Sequence, residues 1–190
     1  MFPSREGTNG RATVATMTTA MHSTPLVALD AVVLDTETTG LDARSARIIQ
    51  IGALRISGSR IEGAQRFETL IDPGVPVPPA TTAIHGLGDA EVRGQPRFNV
   101  IWPELDAFIG RSIIVGHTIA FDQAMLKREV EIAGAVWRPR RTLDIRSLAR
   151  IAAPTLADYE LSRLASWLGI EVHGRHTAMG DAEATARIFI

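Results

Sequence analysis

The sequence predicts an α/β domain organised on a mixed central sheet. Three observations carry that expectation. Three short apolar segments in the first half are joined by tight turns and read as an antiparallel meander. A fourth apolar segment, Ser112 to Gly116, stands alone between stretches of helical periodicity. From Asn99 onward, five stretches space their apolar residues as one face of a helix. Helices flanking strands of both kinds define an α/β layer architecture.

Each element has its own local signal. Within Leu26 to Glu37 (LVALDAVVLDTE), Ala31 to Leu34 is a continuous apolar run and reads as a buried strand. Arg47 to Ile56 is the second strand and ends at the turn Ser57-Gly58-Ser59. Gln65 to Ile71 is the third and ends at Asp72-Pro73-Gly74, a strong turn signal. Val75 to Pro79 holds three prolines and is expected to stay outside sheet and helix. The expected helices are Asn99 to Ile109, Ile119 to Gly134, Thr142 to Ala152, Glu160 to Leu168 and Thr177 to Ile190, with Gly134 and Gly169 at helix stops. The last of these reaches Ile190 without an end signal, so the domain is expected to belong to a longer chain. Residues 1–25 are rich in Thr, Ser, Gly and Ala and read as a flexible tail, leaving residues 26–190 as one domain.

Composition narrows the function classes. The 190 residues suit one domain with or without a tail, and 45% apolar content suffices for a core. Cysteine is absent, which excludes disulfide frameworks, thiolate metal sites and cysteine nucleophiles. The net charge is −1, so nucleic-acid binding must come from a local patch or from metal ions. Of the 20 basic residues all but Lys127 are Arg, which nucleotide-composition bias explains more simply than phosphate recognition. No stretch is long and apolar enough for a membrane span. No apolar run of signal-peptide kind is present either, so a cytoplasmic location without membrane association is expected.

Four acids stand out. Asp35 and Glu37 lie two apart at the end of the first strand and therefore share a face, where two anions repel and need a cation or a shared proton. Asp122, in the first turn of its helix, falls on the same face as Met125 and Leu126. Asp181 sits in the stripe Ala178, Ala182, Thr185, Phe189 of the last helix. A helix N-terminus favours an acid, but a lone buried carboxylate costs several kcal/mol, on the order of 2–7 for an unpaired polar group and more for a charge. Two divalent cations would balance four carboxylates, and hard oxygen ligands suit Mg²⁺ or Mn²⁺. Such an ion pair clamps both oxygens of a phosphodiester displacement. His176, five residues before Asp181, has a side chain able to take a proton near neutral pH.

The segments Asp35-Thr-Glu37-Thr-Thr-Gly-Leu41, Gly116-His-Thr-Ile-Ala-Phe-Asp122 and His176-Thr-Ala-Met-Gly-Asp181 resemble, in order and spacing, the three motifs of the DEDDh exonuclease family, the proofreading exonucleases similar to the epsilon subunit of bacterial DNA polymerase III and to ribonuclease T. Leu161 to Ala184 and Ile84-His85-Gly86-Leu87 are similar to the family as well. The resemblance implies a ribonuclease H-like fold, two Mg²⁺ or Mn²⁺ ions and 3′→5′ hydrolysis releasing nucleoside 5′-monophosphates. It implies that Asp35 bridges both ions, that Glu37 and Asp181 serve the ion holding the attacking water, that Asp122 serves the other, and that His176 is the general base. Thr38, Leu41, His85 and Phe121 match positions that hold the terminal nucleotide. The implied partners are single-stranded 3′ ends of DNA or RNA and a DNA polymerase or further domains of a longer chain. Two positions depart from the family pattern: Thr118 stands where Asn is usual, and Gly88 where Thr or Ser is usual.

Arg138, Arg140, Arg141, Arg146 and Arg150 cluster beside Trp137. They read as a solvated loop and helix face with Trp137 in the core, or as a track for a phosphate backbone. Asp144, among them, resembles a frequent family acid near the site that is not a metal ligand. The reading that competes with an enzyme is a non-catalytic nucleic-acid-binding or polymerase-partner scaffold, which loss of any ligand would favour; all four acids and His176 are present.

Overall fold

The computed structural model describes residues 25–190. The expected tail over residues 1–25 lies, apart from Pro25, outside the described residues. A short 3₁₀ turn, Leu26–Ala28, leads into β1 (Ala31–Thr38), β2 (Ile48–Ser57) and β3 (Arg60–Leu70). Then come α1 (Pro79–His85), α2 (Asp89–Val92), α3 (Phe98–Ile109), β4 (Ile113–Gly116), α4 (Ala120–Ile132), β5 (Thr142–Asp144), α5 (Ile145–Ala152), α6 (Leu161–Trp167) and α7 (Ala178–Phe189). The strands form one sheet of order β3-β2-β1-β4-β5. β1–β2 and β2–β3 are antiparallel, and β1–β4 and β4–β5 parallel. The mixed sheet and its antiparallel meander are as expected. No helix among the described residues is long and apolar enough to cross a membrane.

β1 lies at the centre, and its alternating side chains build two cores. Val32 and Leu34 pack with Ile51, Ala53, Leu105, Met125, Leu126 and Val130 under α3 and α4. Ala31 and Val33 pack with Leu54, Ile56, Val115, Leu164, Met179 and Ala182 under α5, α6 and α7. A strand covered on both faces reads as a continuous apolar run. At the site end of β2 the register shifts, so that Glu37 pairs with Gln50 but Thr38 with Ile48. This bulge turns Ile49 toward Val77 and Val92, a third small cluster that fastens the α1–α2 loop.

Several boundaries differ from expectation. β3 begins at Arg60 because Ser57 and Arg60 pair directly, and this tight hairpin zips the polar residues Arg60 to Glu62 onto β2. Pro79 opens α1 instead of remaining outside it: at the first helical position its missing N–H has no bond to lose. α1 and α2 escaped prediction because four to seven residues are too few for apolar periodicity. Thr142 to Asp144 form an edge strand beside β4, not the start of a helix. The helix begins only after Asp144, whose carboxylate accepts the Arg146 N–H at 2.9 Å as an N-cap.

α4 is tied to the sheet by a buried ion pair. Glu129, 1% exposed, accepts from Arg47 Nε at 2.8 Å, Arg47 Nη2 at 2.9 Å and Ile48 N–H at 3.1 Å. Removing one partner of such a pair strands the other charge. Glu129→Ala should therefore lower the unfolding free energy by about 3 kcal/mol, measured by urea denaturation. An unchanged midpoint would show that the pair does not anchor α4.

Candidate active site

The site forms where β1 runs out between α4 and α7. Along β1 only Asp35 and Glu37 retain partial exposure. They project to the α7 side, as their spacing predicts. Asp181, in the first turn of α7, meets them there. Ligand oxygens of Asp35, Glu37 and Asp181 all lie within 4.8 Å of one another. Asp122 is buried in the first turn of α4 and is not part of that trio. Thr36, between the two strand acids but on the opposite face, donates its hydroxyl to Asp122 Oδ1 at 2.7 Å. One side chain of β1 thus holds the fourth acid against the strand that carries the first two.

Burial and mutual repulsion dominate the electrostatics. Desolvation pushes the Asp35 carboxyl well above its ordinary value; Asp122, Asp181 and Glu37 add to the rise, and Arg175 opposes it. Glu37 is raised to about 7 by desolvation first, then by Asp181 and Asp122. Asp122 is also raised to about 7, chiefly by burial, against the opposing bond from Thr36. Arg175 Nη1 stands 2.5 Å from Asp181 Oδ1, outside hydrogen-bonding alignment. One guanidinium does not neutralise four acids. Clustered hard oxygens with suppressed ionisation fit a divalent cation, which offsets repulsion that the chain itself leaves standing.

The start of α7 is set by close backbone approach. A Cβ on Gly52 of β2 would lie 2.3 Å from the Ala178 carbonyl carbon and the Met179 nitrogen. A Cβ on Gly180 would lie 2.0 Å from the Gly174 carbonyl oxygen. Thr177 caps the helix: its hydroxyl accepts the Gly180 N–H at 3.1 Å and donates to the Gly174 carbonyl at 2.7 Å. His176, exposed, therefore sits on a loop stitched to the turn that bears Asp181.

Two non-glycine residues have left-handed backbones, Thr118 (φ 62°) and His176 (φ 61°). Each stands two residues before the first residue of a helix carrying a site acid, α4 and α7 respectively. A sharp reversal therefore precedes both helices. The departure at Thr118 has a backbone consequence, because Asn tolerates this region better than a β-branched residue. The turn is held instead by Asp144, whose Oδ1 accepts the Thr118 N–H at 3.1 Å in addition to capping α5. At the other departure, the Glu91 carboxylate accepts the Gly88 N–H at 2.8 Å, closing the loop without a Ser or Thr hydroxyl.

The expected nucleotide contacts divide. His85 is buried at the end of α1, and burial draws its pKa down. Its Nδ1 accepts the Leu87 N–H at 3.1 Å, which assigns the proton to Nε2, a buried atom without an aligned partner among the described residues. The Thr38 backbone and His176 lie beside this ring. Thr38 is buried, and its hydroxyl donates to the Gly40 carbonyl at 2.7 Å. Phe121 is half-buried against the α3–α4 core, whereas Leu41 is 88% exposed. Three of the five clustered arginines take structural contacts, while Arg138 and Arg141 are exposed. Arg140 bonds Asp106 and the Gly110 carbonyl, Arg150 lies over Tyr159, and Arg146 approaches Glu160. Trp137 packs against Trp102 at the core. Sequence reasoning missed Thr36, Gly52, Gly180 and Arg175. Only the glycines carried a signal, as strand and helix interiors otherwise disfavour them.

A sequence model of the exonuclease (RNase T) family matches residues 32–189. A DNA polymerase III subunit epsilon-like protein of Rhodobacter capsulatus is 36% identical over 174 residues, which cover 90% of this chain and 25% of that protein. The DNA polymerase III subunit epsilon of Aquifex aeolicus is 34% identical over 160 residues, 84% of this chain and 78% of that one. Escherichia coli exonuclease I, solved with a dT13 oligonucleotide, superposes with a TM-score of 0.74 at 19% identity, covering 83% of this chain and 39% of that one. The chain thus spans a quarter of the Rhodobacter relative's length.

This geometry has two measurable outcomes. Thr118→Asn should raise stability by about 1 kcal/mol, the order of the left-handed penalty relieved, read as a higher denaturation midpoint; a lower midpoint would place the strain elsewhere. The second concerns pH without divalent ions. Between the unfolded values near 4 and the folded values of about 7, the folded protein holds protons on Glu37 and Asp122 that the unfolded chain has released. Stability should then be greatest at the acid end of that window and fall as pH rises through about 7. Adding Mn²⁺ should restore it most at the alkaline end, where the ligands are ionised. Thermal melts across pH, with chelator and with Mn²⁺, check both signs.

Proposed function

We propose that this chain, which belongs to the RNase T exonuclease family, removes nucleotides one at a time from the 3′ end of single-stranded DNA by divalent-cation-dependent hydrolysis. The observation that carries this reading is the convergence of Asp35, Glu37 and Asp181 within 4.8 Å, with Asp122 fixed beside them through Thr36. DNA is favoured because the curated relatives are DNA polymerase III subunits. The polymerase context of those relatives also makes a polymerase the candidate partner.

Asp35, Glu37, Asp122 and Asp181 would hold Mg²⁺ or Mn²⁺, two per site. When bound, such cations supply Lewis acidity at the scissile phosphodiester. His176, exposed on the loop stitched to α7, accepts a proton from the attacking water. The water oxygen bonds to the phosphorus of the terminal nucleotide. The P–O bond to the penultimate 3′ oxygen breaks, the electron pair leaves with that oxygen, and a nucleoside 5′-monophosphate departs. His85, whose ring lies beside the Thr38 backbone, helps shape the pocket for the terminal nucleotide. Backbone N–H groups near Thr38 meet the 3′ end, and Leu41 and Phe121 offer apolar surface to the base or sugar.

Digestion of matched 3′-labelled DNA and RNA oligonucleotides tests the reading. Chelator should abolish release of monophosphates, and DNA should be degraded faster than RNA. Cleavage that persists in excess chelator would sink the metal-dependent mechanism, and no cleavage with either ion would favour the scaffold reading. His176→Ala should lower turnover by ~10²–10⁴-fold, the usual size of a general-base contribution, while Mn²⁺ affinity stays at the wild-type value. Loss of affinity comparable to that of Asp181→Ala would make His176 a ligand instead.

A further inference from the structure

The first turn of α7 presents backbone N–H groups that have no partner within the helix. Thr177 satisfies Gly180. The Ala178 N–H is buried at 0% exposure, beyond the reach of solvent, and donates instead to Gln50 Oε1 at 3.0 Å. Gln50 belongs to β2, is 7% exposed, and lies directly opposite Glu37 on β1. It shares the α7-facing side of β2 with Gly52, over which Ala178 and Met179 approach most closely. A single side chain therefore spans from the strand partner of one site acid to the first residue of the helix that carries another.

The geometry points to Gln50 as a positioning residue for cation binding, one whose side-chain oxygen pins the start of α7 and so sets where the Asp181 carboxylate stands relative to Glu37 and Asp35. This assignment rests on the proposed metal-dependent site. Ala178 and Asp181 are one helical turn apart, so displacement at the first is passed to the second with little loss. Metal ligation tolerates deviations of about 0.2 Å, which a frayed first turn would exceed. The amide is also the right chemical choice. It accepts the N–H as a carboxylate would, without adding another anion opposite Glu37. Groups that orient ligands without touching the ion typically alter metal affinity or activity 10–100-fold when removed.

The test is Mn²⁺ titration by calorimetry in the absence of nucleic acid, followed by oligonucleotide kinetics. Gln50→Leu keeps the volume and loses the acceptor; Gln50→Asn keeps the amide and loses the reach. Both should weaken Mn²⁺ binding by about tenfold or more and lower kcat at saturating Mn²⁺ while KM for the oligonucleotide stays unchanged. Gln50→Glu keeps an oxygen at the same reach and should retain most of the Mn²⁺ affinity that Gln50→Leu loses. Wild-type affinity in both Gln50→Leu and Gln50→Asn would overturn the assignment, and so would a loss in Gln50→Glu equal to that in Gln50→Leu. Asp181→Ala provides the reference for a missing ligand. A wild-type protein that shows this Mn²⁺ pattern but releases no nucleotide would overturn the exonuclease reading and leave the role of Gln50 standing.

Discussion

Asp35, Glu37 and Asp181 bring three anions within 4.8 Å of one another at a place where burial already disfavours charge. Left to itself, a chain relieves such repulsion by letting the acids drift apart. Here each route is closed. β1 cannot move because both of its faces are packed. α7 cannot retreat from β2 without losing the close approach at Gly52 and the Ala178 N–H bond to Gln50. α4 is anchored far from its acid by the Arg47–Glu129 pair and near it by Thr36. These packing and hydrogen-bond constraints converge where the electrostatic stress is greatest, as a preorganised ion site requires.

The two left-handed residues belong to the same logic. Thr118 and His176 occupy equivalent places ahead of α4 and α7, although they lie far apart in sequence. An acid in the first turn of a helix must be delivered to the end of β1 by a chain arriving from another direction, and the reversal needs a backbone conformation that side-chain-bearing residues resist. Asp144 holds the first turn by accepting the Thr118 N–H while capping α5, and Thr177 holds the second by bonding Gly174 and Gly180 on either side of His176.

Much of this was legible before any coordinates. The Asp35/Glu37 pair announced itself because period-two alternation puts both on one face, and the apolar neighbours of Asp122 and Asp181 betrayed the inward side of their helices. The long-range contacts were not legible. Nothing about Thr36 signals that its hydroxyl meets a helix distant in sequence. Asp144 read as part of a helix because its neighbours have helical periodicity, whereas it ends β5 and its carboxylate caps α5. The stretch from Pro79 to Val92 was opaque for a different reason: its short helices are held by Val77, Val92 and the bulged Ile49, contacts that no local pattern encodes.

The placement of α7 at the end of the described chain bears on biosynthesis. A ribosome delivers Asp35 and Glu37 early, Asp122 midway and Asp181 after every strand has been made. Until then the side of β1 carrying the first two acids lacks its main cover, since Met179, Ala182 and Ala186 close that core. α7, the last of the described elements, thus supplies both the missing packing and the third acid of the cluster. The cluster of Asp35, Glu37 and Asp181 is therefore complete only when that core closes, so the acids and their packing arrive together.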